Sequence, residues 1–283
     1  MQTEARGFTV QRYASAAQFL KEAAPWLLAG EAENNVVLAV AQLLVSDDHP
    51  FHEPVYLGAV KEGDRIVGCA VLPPPDHLDM TFLPAGAASL LVDSVAGVHA
   101  DLTEVAGPPE PAAEFARTWT RERGGHWRVR HTWTWFQLQA VTWPRSAGGR
   151  LRVAEAADWP TVREWAPSYA RDVSSSVDVA TFFERRLRTR TLYVWDDGGP
   201  KCVVAVSGKT PNGVRISAVY TPEQFRNRGY ASNAVAGVSQ IALDAGCKFC
   251  VLFADREPST PMRIYQNLGY RRLREHLVID LRA

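Results

Sequence analysis

The chain has 283 residues, with 31 Lys+Arg against 31 Asp+Glu, 46% apolar and 22% charged residues. That length exceeds one average domain, suffices for a sizeable core, and with this composition excludes a disordered tail or a fibrous protein. The neutral sum conceals a split: residues 1–147 hold 11 basic and 17 acidic groups (net −6), and residues 148–283 hold 20 and 14 (net +6). Bulk attraction to nucleic acid or to an anionic membrane is therefore not expected, although one half is free to hold a local anion site. The four cysteines are too sparse for a disulfide framework. The opening MQTEARGFTVQRY lacks the apolar core of a signal peptide. The longest apolar stretch, Val36–Val45 interrupted by Gln42, is too short to span a bilayer. The expected setting is cytoplasmic, without membrane or nucleic-acid partners.

In chain order, Phe8–Tyr13 reads as a strand, and Ser15 leads into a helix that should end near Pro25-Trp26. Val55–Val60, a Lys-Glu-Gly-Asp turn and Ile66–Leu72 make a hairpin. The run Pro73 to Pro84 contains no arginine and no glycine. The half closes on an alternating strand, Arg128–Val141, with Trp133 and Trp135. A Pro/Gly/Ser run, Trp143–Gly149, is the expected linker. The plan then repeats. Leu151–Asp158 leads into a helix with Asp158 as N-cap and Pro160 in the first turn. Thr191–Trp195 and Cys202–Ser207 form the second hairpin, and Arg271–Leu281 is the last strand. Alternating strands and helices give an α/β (α+β) class, and the repeated order predicts two similar domains, 1–143 and 150–283.

The chemistry concentrates between Val214 and Gly237. Val214–Tyr220 alternates as a strand, Thr221–Ala231 is a basic turn containing Gly229, and Ser232–Ala245 has helical spacing ending at Gly246. A strand, a basic glycine turn and a helix N-terminus together make an anion cradle, because unpaired N–H groups and the positive end of the helix dipole point outward. Gly229 would let the backbone approach a phosphate closely. The turn lacks the glycine patterns of nucleotide and dinucleotide loops.

It does contain Arg226-x-x-Gly229-x-Ala231, followed by the buried strand Cys247–Asp255 and by Pro258–Tyr270 with its Tyr265-x-x-x-Gly269-Tyr270 ending. This constellation resembles the GNAT superfamily of acyl-CoA-dependent N-acyltransferases, specifically over residues 214–272 and in general plan over 150–283. The resemblance implies two GNAT-like domains, each a mixed, mostly antiparallel twisted sheet flanked by helices, the first degenerate and the second catalytic. It implies acetyl-CoA as co-substrate, no metal, an amine acceptor, and a monomer or homodimer. Backbone amides of Arg226, Asn227, Arg228, Gly229, Tyr230 and Ala231, with Ser232 at the helix start, would hold the CoA pyrophosphate. The strand end with Val219, Tyr220 and Thr221 would pair with the pantetheine arm. The Val219 amide would polarise the thioester carbonyl, and Tyr265 would protonate the departing thiolate.

Two departures accompany the likeness. Gln224 stands where an acidic residue is frequent in the family, and Glu257-Pro258 and Pro261-Met262 replace an Asn-Pro…Ser-Asn run. The base that deprotonates the amine is left open among Glu184, Asp178, Asp172, Glu223 or a water chain. Other readings compete on chemical grounds. Cys247-x-x-Cys250 has no second close pair to complete a zinc site, and small core residues are the better account. His49-x-x-His52 lies in a Pro-rich loop. The tryptophan-rich strand sits in the acidic half, against nucleic-acid stacking and for core packing. Arg185-Arg-Leu-Arg188-Thr-Arg190 reads as a solvated helix face, with the adenosine 3′-phosphate or an acidic acceptor as its functional alternative. The functional alternatives overall are a non-catalytic acyl-CoA sensor, or an antibiotic- or thiol-precursor acyltransferase with two CoA sites.

Overall fold

The structure, a computed structural model, describes residues 7–45, 49, 51, 55–73, 77–173, 178–256 and 260–282. His52 and the Glu257-Pro258 pair lie outside the described residues. The elements follow one order twice. The first pass is β1 (Phe8–Arg12), α1 (Ala16–Ala29), α2 (Asn35–Leu43), β2 (Tyr56–Glu62), β3 (Arg65–Leu72), β4 (Leu78–Met80), α3 (Leu91–Ala96), β5 (Glu104–Gly107), α4 (Pro109–Arg123) and β6 (His126–Leu138). The second is β7 (Arg150–Val153), α5 (Trp159–Asp172), α6 (Val179–Arg188), β8 (Leu192–Asp196), β9 (Pro200–Ser207), β10 (Gly213–Tyr220), α7 (Tyr230–Asp244), β11 (Phe249–Asp255), α8 (Thr260–Asn267) and β12 (Arg271–Arg282). The mixed α/β class is as the sequence implies.

By contacts the chain forms two compact units, 1–134 with 274–283, and 135–273. In the first unit, β1, β2, β3 and β4 pair successively antiparallel and β4 pairs parallel with β5. The next partner of β5 is the last strand of the chain: β12 runs antiparallel to it, with Leu277 opposite Gly107 and Asp280 opposite Glu104. Strand alternation divides the apolar residues between two faces. Leu57, Ala59, Cys69 and Val71 pack with Phe19, Ala23, Leu27 and Leu38 of α1 and α2. Val60, Ala70 and Leu72 pack with Leu91, Val95, Phe115 and Trp119 of α3 and α4. Helix α1 passes through Pro25 to Ala29 instead of ending there, with Ser15 accepting from the Gln18 amide as its N-cap. Its buried stripe of Phe19, Ala23 and Leu27 outweighs the hydrogen bond that proline forgoes.

The second unit repeats the layering. β7, β8, β9 and β10 are antiparallel, and β10 pairs parallel with β11. Trp165, Phe183, Val203, Ala205 and Tyr220 form the cluster under α5 and α6. Cys202, Val204, Val214, Ile216, Val235, Val238 and Tyr265 form the one under α7 and α8. Full burial of Phe183 contributes about 1.5–3 kcal/mol.

Trp143–Gly149, expected as a linker, lies within the second unit. Asn233 donates to the Arg145 carbonyl at 3.0 Å and Trp195 Nε1 to that of Gly148 at 2.7 Å. Gly149 is required here: its φ is +91° and a Cβ would stand 2.3 Å from the Asp196 carbonyl oxygen. Asp158 holds the N-cap position of α5 as expected, but its side chain caps no α5 amide. Its backbone is already helical, and its carboxylate turns back onto the Glu155 amide at 2.8 Å in a reciprocal capping box. The same carboxylate takes both guanidinium nitrogens of Arg152, at 2.6 and 2.8 Å, while Arg152 Nε donates to Asp196 at 2.7 Å. Among the described residues, no helix is long and apolar enough to cross a membrane.

Candidate functional site

Two irregularities in the second unit shape the site. The first is in β10. Its parallel register with β11 covers Gly213–Arg215 against Phe249–Val251 and stops, although both strands continue to Tyr220 and Asp255. On the other side, its register with β9 shifts between Ser217 and Tyr220, and Ala218 takes a φ of +47°. An alanine in this region is strained by about 1–2 kcal/mol. The bulge reverses the strand's faces: Val214, Ile216 and then Val219 pack toward α7, whereas Ala218 and Tyr220 pack toward α5. The end of β10 thus presents backbone groups at an edge that β11 has left, as an added extended segment requires.

The second irregularity is the turn into α7. Asn227 (φ +63°) and Gly229 (φ +81°) are left-handed on either side of Arg228, an arrangement that gathers successive N–H groups into a concavity. Gly229 occupies the N-cap position and, among the described residues, no side chain caps the helix, so its first-turn donors are not satisfied from within. The protein atoms nearest a Cβ at Gly229 would be at ordinary distances, Asn233 Nδ2 at 3.5 Å and Ala147 Cβ at 3.6 Å. Backbone conformation, rather than crowding by the protein, therefore demands the glycine.

The expected residues divide by what they already bond. The Arg226 amide donates to the Glu223 carbonyl at 3.1 Å. Its guanidinium donates to the Thr221 carbonyl at 3.0 Å and to Asp172 at 2.6 Å. Arg226 therefore builds the turn, while Asn227, Arg228 and Gly229 are exposed in it and Ala231 and Ser232 follow in the first helical turn. Tyr230 is buried and donates from its hydroxyl to Asp197 at 2.7 Å, which raises its pKa. Tyr220 packs its ring against Trp165 and Tyr169, with centroids 6.2 and 5.9 Å away. Thr221 Oγ1 is solvent-inaccessible.

Tyr265 lies in the same apolar cluster as Val219. Phe136 and Tyr270 hold its ring, at 6.3 and 6.0 Å between centroids. Burial, with Tyr169 and Cys202 nearby, lifts its pKa well above the ordinary phenol value of 10. Of the candidate bases, Asp172 is paired with Arg226. Asp178 accepts from the Ala180 and Thr181 amides as the cap of α6, and those bonds with the Thr181 hydroxyl lower its pKa, making it a weaker base. Glu184 and Glu223 are exposed.

Strand alternation places further residues on the α5–α6 side of the sheet. Ser217 is opposite Ala205, and Arg215 is opposite Ser207 and Val251, so Phe253 and Asp255 continue that face along β11. Sequence reading passed over Arg215, Phe253 and Asp255, although the period of two was available to find them. It also took Arg186 for part of a solvated face, whereas its guanidinium lies 5.0 Å over the Phe182 ring with a buried Nε. Cys250 is buried, its thiol 3.7 Å from the Ser239 carbonyl, and its pKa rises to about 12.

Comparison with known proteins bears on this arrangement. Residues 204–279, from β9 to β12, match the family described as FR47-like protein. A GCN5-related N-acetyltransferase of Sphaerobacter thermophilus aligns over 98% of this chain and 96% of its own, with TM-score 0.61 and 16% identity. The chain is built on the GNAT fold. Another structure, a Drosophila protein, aligns over 96% of this chain and 98% of its own, with TM-score 0.70 and 11% identity. A tandem GNAT protein from the clavulanic acid biosynthesis pathway aligns over 96% and 97%, with TM-score 0.55 and 15% identity. No curated protein matches the chain.

Within this GNAT fold the first unit offers an instructive contrast. Its β4–β5 parallel pair and following turn occupy the same places in the element order as β10, β11 and the turn into α7. There, however, the Gly86 and Ser89 amides donate to the two carboxylate oxygens of Glu114 on α4, at 3.0 and 2.9 Å. The protein's own anion occupies the turn that precedes α3, whereas among the described residues no side chain caps the start of α7.

Proposed function

We propose that the second unit transfers an acetyl group from acetyl-CoA to a primary amine, and that the first unit is a degenerate copy without a CoA site. The observation that carries this reading is the uncapped α7 N-terminus beside the bulged end of β10, whose β11 side is left open. The domain assignment, 1–143 degenerate and 150–283 catalytic, belongs to the same proposal.

The donor set suits a pyrophosphate: the amides of Asn227 to Ser232 belong to the left-handed turn and first turn of α7, beside the exposed Arg228, at a positive helix end. The edge from Ala218 to Thr221 offers hydrogen bonds to a pantetheine arm. Acetyl-CoA supplies the activated acyl thioester. The Val219 N–H, redirected by the bulge, polarises the carbonyl as negative charge develops on it. The amine nitrogen forms the new C–N bond as the C–S bond breaks, and Tyr265 gives its proton to the departing sulfur. With Asp172 and Asp178 engaged, Asp255, half-buried on the α5–α6 side, joins Glu184, Glu223 and water as acceptors of the amine proton.

Free-thiol release from acetyl-CoA across a panel of primary amines tests the reading. Amine-dependent release is expected. Tight CoA binding with no release on any amine would instead mark a sensor.

A further inference from the structure

We propose that the acceptor amine carries an anionic group, a carboxylate or similar oxyanion, and that Arg186 and Arg215 receive it on the α5–α6 side of β10. The proposal rests on the acyl-transfer reading and deepens it by naming a substrate class. Arg186 stands one helical turn after Phe182, its Cζ 5.0 Å over that ring, and its Nε is solvent-inaccessible without a hydrogen-bond partner among the described residues. Arg215 comes from the strand beneath, with its Cζ 5.6 Å over the Phe253 ring. Phe253 in turn stacks on Trp135 at 5.6 Å and 24°.

A guanidinium drawn into aromatic surroundings with an unmet donor is costly unless an anion completes it. The charges acting on Arg186 make that need sharper. Burial first, then repulsion from Arg185 and Arg215, brings its pKa down to about 10. Arg186 and Arg215 thus bring two cations to the face that also carries Asp255, flanked by ring faces suited to the apolar part of a small acceptor. This side is distinct from the pyrophosphate turn. Ser217 and Arg215 face α5 and α6, whereas the start of α7 packs over the opposite face through Tyr230, Ala234 and Val235.

The test compares amino acids with their carboxamides, which match in shape and lack the charge. In the wild type, kcat/KM is expected to favour the acid by about tenfold or more, the scale of a charge-assisted pair. Arg186→Gln should abolish that preference while leaving CoA affinity unchanged, and Arg186→Lys should restore part of it. Equal rates for acid and carboxamide in the wild type would overturn the proposal. So would an Arg186→Gln variant that loses affinity for CoA but not for 3′-dephospho-CoA, which would place Arg186 at the nucleotide. If no amine releases thiol, the acyl-transfer reading falls alone. Titration of the CoA complex with the same amino acids then still decides the anion site: Arg186→Gln must weaken binding about tenfold, and equal binding refutes it.

Discussion

Tyr265→Phe is expected to lower kcat for thiol release about 100-fold or more, the usual contribution of a positioned proton donor, with CoA affinity unchanged. The variant keeps the ring that packs against Phe136 and Tyr270, so the cluster around it has no reason to rearrange. Burial holds the pKa of its hydroxyl above the ordinary value of 10. It therefore remains protonated throughout the neutral and mildly alkaline range. Wild-type turnover should accordingly show no alkaline loss attributable to this group below about pH 10. Steady-state thiol release and CoA titration on both proteins check the two halves of the expectation. Full turnover by the phenylalanine variant would remove Tyr265 from the mechanism.

The second large effect concerns stability. Arg152 binds Asp158 through two nitrogens and Asp196 through a third, and the Asp158 side chain is 7% exposed. Arg152→Ala leaves that carboxylate buried without its cation, a loss of about 3–5 kcal/mol. Arg152→Lys should recover only part, since an ammonium cannot reproduce the fork. Both carboxylates are held below their ordinary pKa of 3.8, Asp158 chiefly by Arg152 and Asp196 chiefly by the Gly199 amide with Arg152 next. A depressed folded pKa means that the stabilisation is present above the unfolded value and lost as pH falls through the folded one. Urea unfolding should thus show the wild-type advantage in full at pH 7 and shrinking below about pH 4. An advantage independent of pH would contradict the ion-pair account.

Legibility followed range. The β10–turn–α7 segment was readable because its determinants are local: an alternating strand, a left-handed glycine and an apolar helix face. The same locality made both hairpins readable. The bulge at Ala218 was not, since alanine gives no hint of positive φ and the strain is imposed by packing on both faces of β10. Nor was the pairing of β12 with β5, because register between strands so far apart in the chain is written in neither sequence alone. The N-cap position of Asp158 was legible, but not that its carboxylate would turn back to the Glu155 amide and to Arg152. Arg226 matched the resemblance for its charge, yet its side chain is spent on Thr221 and Asp172. Arg186 was misread although Phe182, four residues earlier, offered the signal that its guanidinium would lie on a ring. Glu114 was invisible for the opposite reason: the turn it satisfies, before α3, belongs to a distant segment.

The most direct test is isothermal titration of the full chain with CoA. One site per chain is predicted, and Gly229→Val, which forces a β-branched residue to φ +81°, should weaken it about tenfold or more, in line with 1–2 kcal/mol of backbone strain. Absence of binding, two equivalent sites, or unaltered affinity in the Gly229 variant would contradict the account.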